Sequence, residues 1–317
     1  MSLAIRAAAC LVALGCWAPV ARAQDKLKLA IGGFGAWAVE APRLAAQSGI
    51  FKKHGLDVEY YATAGAGESL QAVISNSADI SVGVGTAGVL GAFAKGAPIR
   101  IIGANFRGSG DVYWYVRADS PLKSMKDATD KDLMAYSTNG SSTHIAVTAL
   151  VEEAGVKAKP LATGDMASTL TQVMSGQIAM GWAAAPFGLK EIEEGKIRVV
   201  GTGDEAPSLR EQTVRVDIAS VRVTTERKDA LQRYVKAYRE TLEWMYADGK
   251  AIEMWAANIG VPVALARIAS DKYQPKSARD FDSITGLDKL MEGAVKQKFL
   301  TAPLTKEQLS TLIQIVK

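Results

Sequence analysis

Along the chain, compact apolar runs take turns with stretches whose apolar positions recur every three or four residues. Residues 26–31, 56–61, 80–84 and 99–103 show the first pattern and predict strands, while 41–48, 68–75 and 87–95 between them predict helices. Such alternation implies a mostly parallel sheet in an α/β fold. After the aromatic run 112–116 and the turn Asp119-Ser120-Pro121, the alternation restarts. Strands are expected at 133–136, near 159–162 and at 178–182, with helices over 143–154, 166–175 and 187–194.

The two units echo each other. Val73-Ile74-Ser75-Asn76 leads into the strand at 80–84, and Val173-Met174-Ser175-Gly176 into the one at 178–182. A separation of about a hundred residues suits two similar lobes rather than a solenoid. From Asp217 an extended piece to 223 gives way to helices. Leu231, Tyr234, Tyr238, Leu242 and Met245 lie at three- and four-residue spacings, a buried stripe on one helix over 228–247. Gly249, Pro262 and Pro303 punctuate helices expected at 251–258, 263–270, 283–298 and 306–315. In the simplest topology the chain returns to its first lobe, so that 24–114 with 219–317 form lobe 1 and 115–218 form lobe 2. Crossings near 112–117 and 214–221 then make a hinge.

Ahead of the first strand, one cation, Arg6, precedes an apolar stretch over 7–18 and the triplet Ala21-Arg22-Ala23. That is the layout of an export signal, residues 1–23, cleaved after Ala23. Lipid anchoring at Cys16, behind Leu14-Gly15, is the alternative, and the leucine spacing disfavours it. Without this segment basic and acidic residues number 35 and 33, a balance that offers no concentrated basic face for nucleic acid. Cys10 and Cys16 are the only cysteines, so the mature chain has no disulfide, thiolate nucleophile or cysteine-ligated metal. His54 and His144 stand alone, and neither a metal nor another cofactor is expected. The apolar stretch 78–94 holds Asp79 and four glycines, which makes it a strand, loop and helix rather than a membrane span. The protein is therefore expected to be exported and released, in a bacterial periplasm.

Gly49-Ile-Phe-Lys-Lys-His-Gly-Leu-Asp-Val58 resembles the solute-binding proteins of nitrate, sulfonate and taurine importers and their pyrimidine-precursor-binding relatives. The resemblance extends through residues 70–80, Gly96-Ala97-Pro98, residues 136–144 and Ser175-Gly176-Gln177-Ile178, nearly all of the span 27–182. It implies the type II periplasmic-binding fold, with the helical C-terminal segment on lobe 1. It also implies a monomer that closes over a small solute, a sulfonate, taurine or nitrate, and docks on the membrane permease of an ATP-driven importer. Hinge closure is a known kind of switch. Binding of a pyrimidine precursor or an aromatic acid on the same fold is the neighbouring alternative.

Candidate ligand residues cluster after strands, where α/β folds bind solutes. In Asn139-Gly140-Ser141-Ser142-Thr143, helix-start amides and hydroxyls converge as an anion site, and the resemblance puts ligand contacts at the matching position. The plainer reading is that Ser141 or Ser142 only caps the helix. Gly33, Phe34 and Trp37 follow the first strand and offer open backbone and aromatic faces, or Trp37 packs beneath the helix. Gly67 follows the second strand, where Glu68 complements a helix dipole. Gly85 and Thr86 follow the third, with the Thr86 hydroxyl expected to face the cleft. Trp182 covers a planar or apolar solute or fills the core. Asp217 sits at a lobe crossing, and Asp165 reads as a helix cap. Arg107 reads as a solvated loop residue.

Gly83-Val84-Gly85-Thr86-Ala87-Gly88 is also a formal dinucleotide fingerprint, which would make the protein a nucleotide-dependent oxidoreductase. It follows the third strand rather than the first, and Gly103-Ala104-Asn105 stands where the ribose-binding acid belongs. No G-x-S-x-G is present, and the pyrimidine-forming relatives' chemistry goes with a cysteine-rich motif that the mature chain lacks. The reading is capture without catalysis.

Overall fold

The computed structural model describes residues 24–316; the expected leader, its cleavage after Ala23 and the alternative at Cys16 lie outside them. In chain order the strands are β1 (Asp25–Ile31), β2 (Leu56–Ala62), β3 (Ile80–Gly85), β4 (Ile99–Arg107), β5 (Val112–Arg117), β6 (Leu133–Tyr136), β7 (Lys159–Ala162), β8 (Gly181–Ala184), β9 (Ile197–Thr202) and β10 (Thr213–Ser220). The helices are α1 (Ala41–Ser48), α2 (Ile50–Lys53), α3 (Ala66–Ile74), α4 (Thr86–Ala94), α5 (Ser142–Glu153), α6 (Met166–Met174), α7 (Leu189–Glu193), α8 (Val221–Glu226), α9 (Lys228–Ala247), α10 (Gly249–Ile259), α11 (Val263–Ile268), α12 (Leu287–Lys296) and α13 (Lys306–Leu312). No single described helix is long and apolar enough to cross a membrane.

The first sheet runs β2-β1-β3-β10-β4, with β1, β2 and β3 parallel and β10 antiparallel to both its neighbours. In the second lobe, β6 and β7 pair in parallel and β5 pairs antiparallel with β8 and β9. A bridge between Met134 and Met180, just ahead of β8, joins these pieces in the order β7-β6-β8-β5-β9. Both lobes thus have three parallel strands, an antiparallel fourth and a fifth strand at the edge.

The crossings fall earlier than the sequence pattern implies. All of β5 lies in the second sheet and all of β10 in the first, so the chain changes lobe at 108–111 and again at 203–212. Tyr113, Trp114 and Tyr115 are buried, and the Trp114 indole donates to the Ala135 carbonyl at 2.9 Å. This aromatic run fills lobe 2 instead of forming a hinge. Strand β9, with Ile197 and Val200 buried, has no counterpart in the sequence reading, because Arg198 interrupts an already short run.

The stripe of α9 is buried as expected: Leu231, Tyr234, Tyr238, Leu242 and Met245 all pack inward. After α13 the tail returns to lobe 1, where Gln314 N–H donates to the Ile101 carbonyl on β4 at 2.8 Å. A further tie comes from Gln274, whose Oε1 accepts from Ala38 N in lobe 1 and whose Nε2 donates to Ala185 O in lobe 2 at 3.0 Å. Helix α12 carries Gly293 in its interior, and a Cβ there meets nothing within 4 Å. Gly293→Ala is therefore expected to raise the unfolding free energy by about 1 kcal/mol, read from urea midpoints, because alanine loses less backbone freedom on folding.

Candidate functional site

A cavity of about 110 Å³ is lined by both lobes. Lobe 1 supplies the glycine loop after β1, Gly83 and Arg215; lobe 2 supplies Ser137, Ser142, Thr143, Asp165, Met166 and Trp182. A larger hollow of about 340 Å³, between α5 and α12, shares no residue with it and has a mixed lining that includes Glu152, Glu292, Lys289 and Lys296.

The glycine loop holds its shape for local reasons. Gly33 and Gly35 adopt φ of 111° and 116°, the region that side chains avoid. Buried Glu40 accepts from Gly35 N at 2.8 Å and from Arg43 Nε at 2.7 Å, and the Arg43 guanidinium stacks 4.8 Å from the Phe34 ring centre. Burial pushes the Glu40 carboxyl above its ordinary range, while Arg43 and the Gly35 amide pull it back. These contacts fix Phe34 at the cavity wall.

Across from it, α5 presents its N-terminus. Ser141 is the cap, its hydroxyl accepting from His144 N at 3.2 Å. Thr143 Oγ1 accepts from Ser137 N at 2.9 Å and lies 3.0 Å and 2.9 Å from the hydroxyls of Ser137 and Ser141. The leading amides of a helix have no partner within it and carry its positive dipole end. Asp165 caps α6 through Ser168 N at 2.7 Å, and Met166 Sδ accepts from Ala184 N at 3.3 Å. The buried Trp182 indole N–H has no partner among the described residues.

Arg215 is the cavity's cation. Its Nη2 lies 2.6 Å from Asp111 Oδ2, and its guanidinium carbon lies 4.4 Å from the Phe106 ring centre. Burial raises the Asp111 carboxyl, and Arg215 opposes that shift. Arg215 Nε and Asp111 Oδ1 are both buried without a partner among the described residues. A site with helix-start amides, hydroxyls, an indole N–H and a guanidinium is rich in donors, which is what an oxyanion requires.

Residues 41–252 match the family described as NMT1/THI5 like. The chain belongs to this family. No curated protein matches it. Among solved structures, the alkanesulfonate-binding protein SsuA from Xanthomonas axonopodis pv. citri, bound to MOPS, is similar, with a TM-score of 0.74 at 17% identity over 92% of this chain and 98% of that one. The periplasmic aliphatic sulphonate binding protein SsuA from Escherichia coli follows at 0.70 and 16%, over 91% and 97%. The periplasmic nitrate-binding protein NrtA from Synechocystis PCC 6803 has 0.64 and 14%, over 91% and 85%. At these identities the likeness is one of fold, the type II periplasmic-binding fold.

In this NMT1/THI5-like chain, Gly33, Phe34, Ser142, Thr143 and Trp182 reach the cavity wall, as does Asp165 while capping α6. Others of the expected residues lie elsewhere. Trp37 is fully buried against Trp255 and Tyr246, with ring centres 4.7 Å and 5.9 Å away. The Thr86 hydroxyl turns from the cleft and donates to the Thr213 carbonyl at 2.6 Å. Asp217 sits beneath β3, accepting from Gly83 N at 2.8 Å and Asn105 Nδ2 at 2.9 Å. Asn139 accepts from the Tyr136 hydroxyl, Ser141 is the helix cap, and Gly67 and Gly85 meet the opposite lobe. The sequence reading missed Arg215, Ser137 and Met166. Only an arginine inside an otherwise apolar strand could have signalled Arg215.

Proposed function

We propose that the protein is the extracytoplasmic, periplasmic solute-binding component of an ATP-driven importer, and that it captures a small anionic or zwitterionic solute between its lobes. The observation that carries this reading is the meeting of the α5 N-terminus and its hydroxyls, from lobe 2, with Arg215, from lobe 1, in one cavity. An acidic head group takes its hydrogen bonds from the Ser142 and Thr143 amides, the Ser137 and Ser142 hydroxyls and the Trp182 indole, with Arg215 opposite. Phe34, Met166 and Trp182 cover the apolar remainder. Asp165, on the lobe 2 wall, suits the amine of a taurine-type solute. The solute bridges the lobes and so favours the closed form, which is what a permease recognises.

The donors around Ser142, Thr143 and Arg215 favour a small anion over an aminopyrimidine. The test is thermal unfolding of refolded, ligand-stripped protein against methanesulfonate, taurine, nitrate, aminopyrimidines and aromatic acids. A ligand at a hundredfold excess over its Kd should add about 2.7 kcal/mol. Stabilisation by the small anions is the expected result. Stabilisation by aminopyrimidines alone would overturn the solute class.

A further inference from the structure

The glycines of residues 83–88 have a role that neither a fingerprint nor a ligand contact supplies. Gly85, at the end of β3, and Gly88, in the first turn of α4, press on the loop that leads into α5. A Cβ on Gly88 would lie 2.7 Å from the Gly140 carbonyl oxygen and 3.2 Å from its Cα. One on Gly85 would overlap the same oxygen and come within 2.7 Å of the Ser141 carbonyl carbon. On the facing side Gly140 has φ 79° and approaches the Gly88 Cα just as closely, at 3.0 Å from its own Cβ position. Next to it, Gly67 N donates to Thr138 Oγ1 at 3.0 Å, and a Cβ on Gly67 would lie 3.1 Å from the Asn139 carbonyl. Real Cβ atoms essentially never come under 3.0 Å of another heavy atom, so this backbone-on-backbone seam admits only glycine.

The seam joins lobe 1 to lobe 2 beside the cavity, and the same loop carries Ser141 to Thr143. A solute enters only when the lobes part, and parting opens the seam. We infer that Gly85, Gly88 and Gly140 are positioning residues for capture: they set the depth of lobe closure, and through it solute affinity, without touching the solute. This goes beyond the solute-binding reading, and only its affinity arm rests on that reading.

Gly88→Ala separates this role from a structural one, because its two effects have opposite signs. In a helix alanine is favoured over glycine, so the unliganded protein should unfold at the wild-type midpoint or above. The added methyl clashes only when the lobes meet, so affinity for methanesulfonate, the probe, should fall about tenfold or more. Gly293→Ala, in open space, is the control that should leave affinity unchanged.

Lobe separation is read by double electron–electron resonance between labels at Lys52→Cys and Lys159→Cys, both exposed and on or beside the edge strands farthest from the crossings. Wild type should gain a short-distance population with methanesulfonate, and Gly88→Ala should lack it. Wild-type affinity and distances in Gly88→Ala would overturn the inference. If wild type does not bind methanesulfonate, taurine or nitrate, the solute reading fails and the unliganded distances decide. A short-distance population lost in Gly88→Ala supports the seam, and unchanged distances overturn it.

Discussion

Arg215→Met is expected to abolish measurable anion binding and to destabilise the protein by about 3–5 kcal/mol at neutral pH, because it strands a buried charge. The Arg215 side chain is 9% exposed and that of Asp111 0%, so water cannot replace the lost cation. Burial already raises the Asp111 carboxyl with Arg215 in place, and without the arginine it rises further. A carboxyl whose folded pKa lies above its unfolded one makes stability fall as pH rises through the window between them. The deficit of Arg215→Met should therefore be largest at neutral pH and above and shrink as pH falls toward the ordinary carboxyl value of 3.8. The double variant Asp111→Asn, Arg215→Met removes the stranded charge and should recover most of the stability, but none of the affinity. Urea unfolding and titration calorimetry on the two variants and wild type check this. Recovery of affinity in the double variant would mean that Arg215 does not meet the solute.

Asp217→Asn is the second large expectation, and it concerns stability alone. Burial pushes the Asp217 carboxyl up to about 6, while the Gly83 amide, the Arg279 charge and Asn105 draw it back only partway from a higher value. Unfolded, the group titrates near 3.8. Between these values the folded chain holds the extra proton, so wild-type stability should fall as pH rises from about 4 to about 6. The contribution is about 3 kcal/mol over the window. Asparagine keeps an oxygen for Gly83 and Asn105 and carries no charge to desolvate. Asp217→Asn should match wild type near pH 4, exceed it at pH 7, and show a flatter profile between. An unchanged slope from pH 4 to 7 in the variant would assign the titration to another group.

Periodicity carried most of the architecture. Residues 26–31, 80–84 and the stripe from Leu231 to Met245 fold as their spacing requires, and the return to lobe 1 follows from the helical C-terminal third. The helix start around Ser142 and Thr143, where the anion site is proposed, was legible because glycine and hydroxyl residues between a strand and a helix announce it. What was not legible is how an element sits in three dimensions. Trp37 and Trp182 both follow or end a strand, and only packing against Trp255 separates a core indole from one at the cavity. On β10, Arg215 and Asp217 are two residues apart, which in a regular strand puts them on one face. Register shifts on both sides of Val216 break that alternation. Arg215 therefore reaches the cavity and Asp111, while Asp217 accepts from Gly83 N; the sequence reading named Asp217 and passed over Arg215.

The position of β10 also governs the order in which the molecule is assembled. It lies between β3 and the edge strand β4 of the first sheet, yet it comes after every strand of the second lobe in the chain. As the polypeptide emerges from its amino end, residues 112–202 can complete their sheet while the earlier lobe still lacks the strand that joins β4 to β3. Lobe 1 is begun first and finished last, so its sheet must wait, open between β3 and β4, for residues 213–220 to arrive and close it.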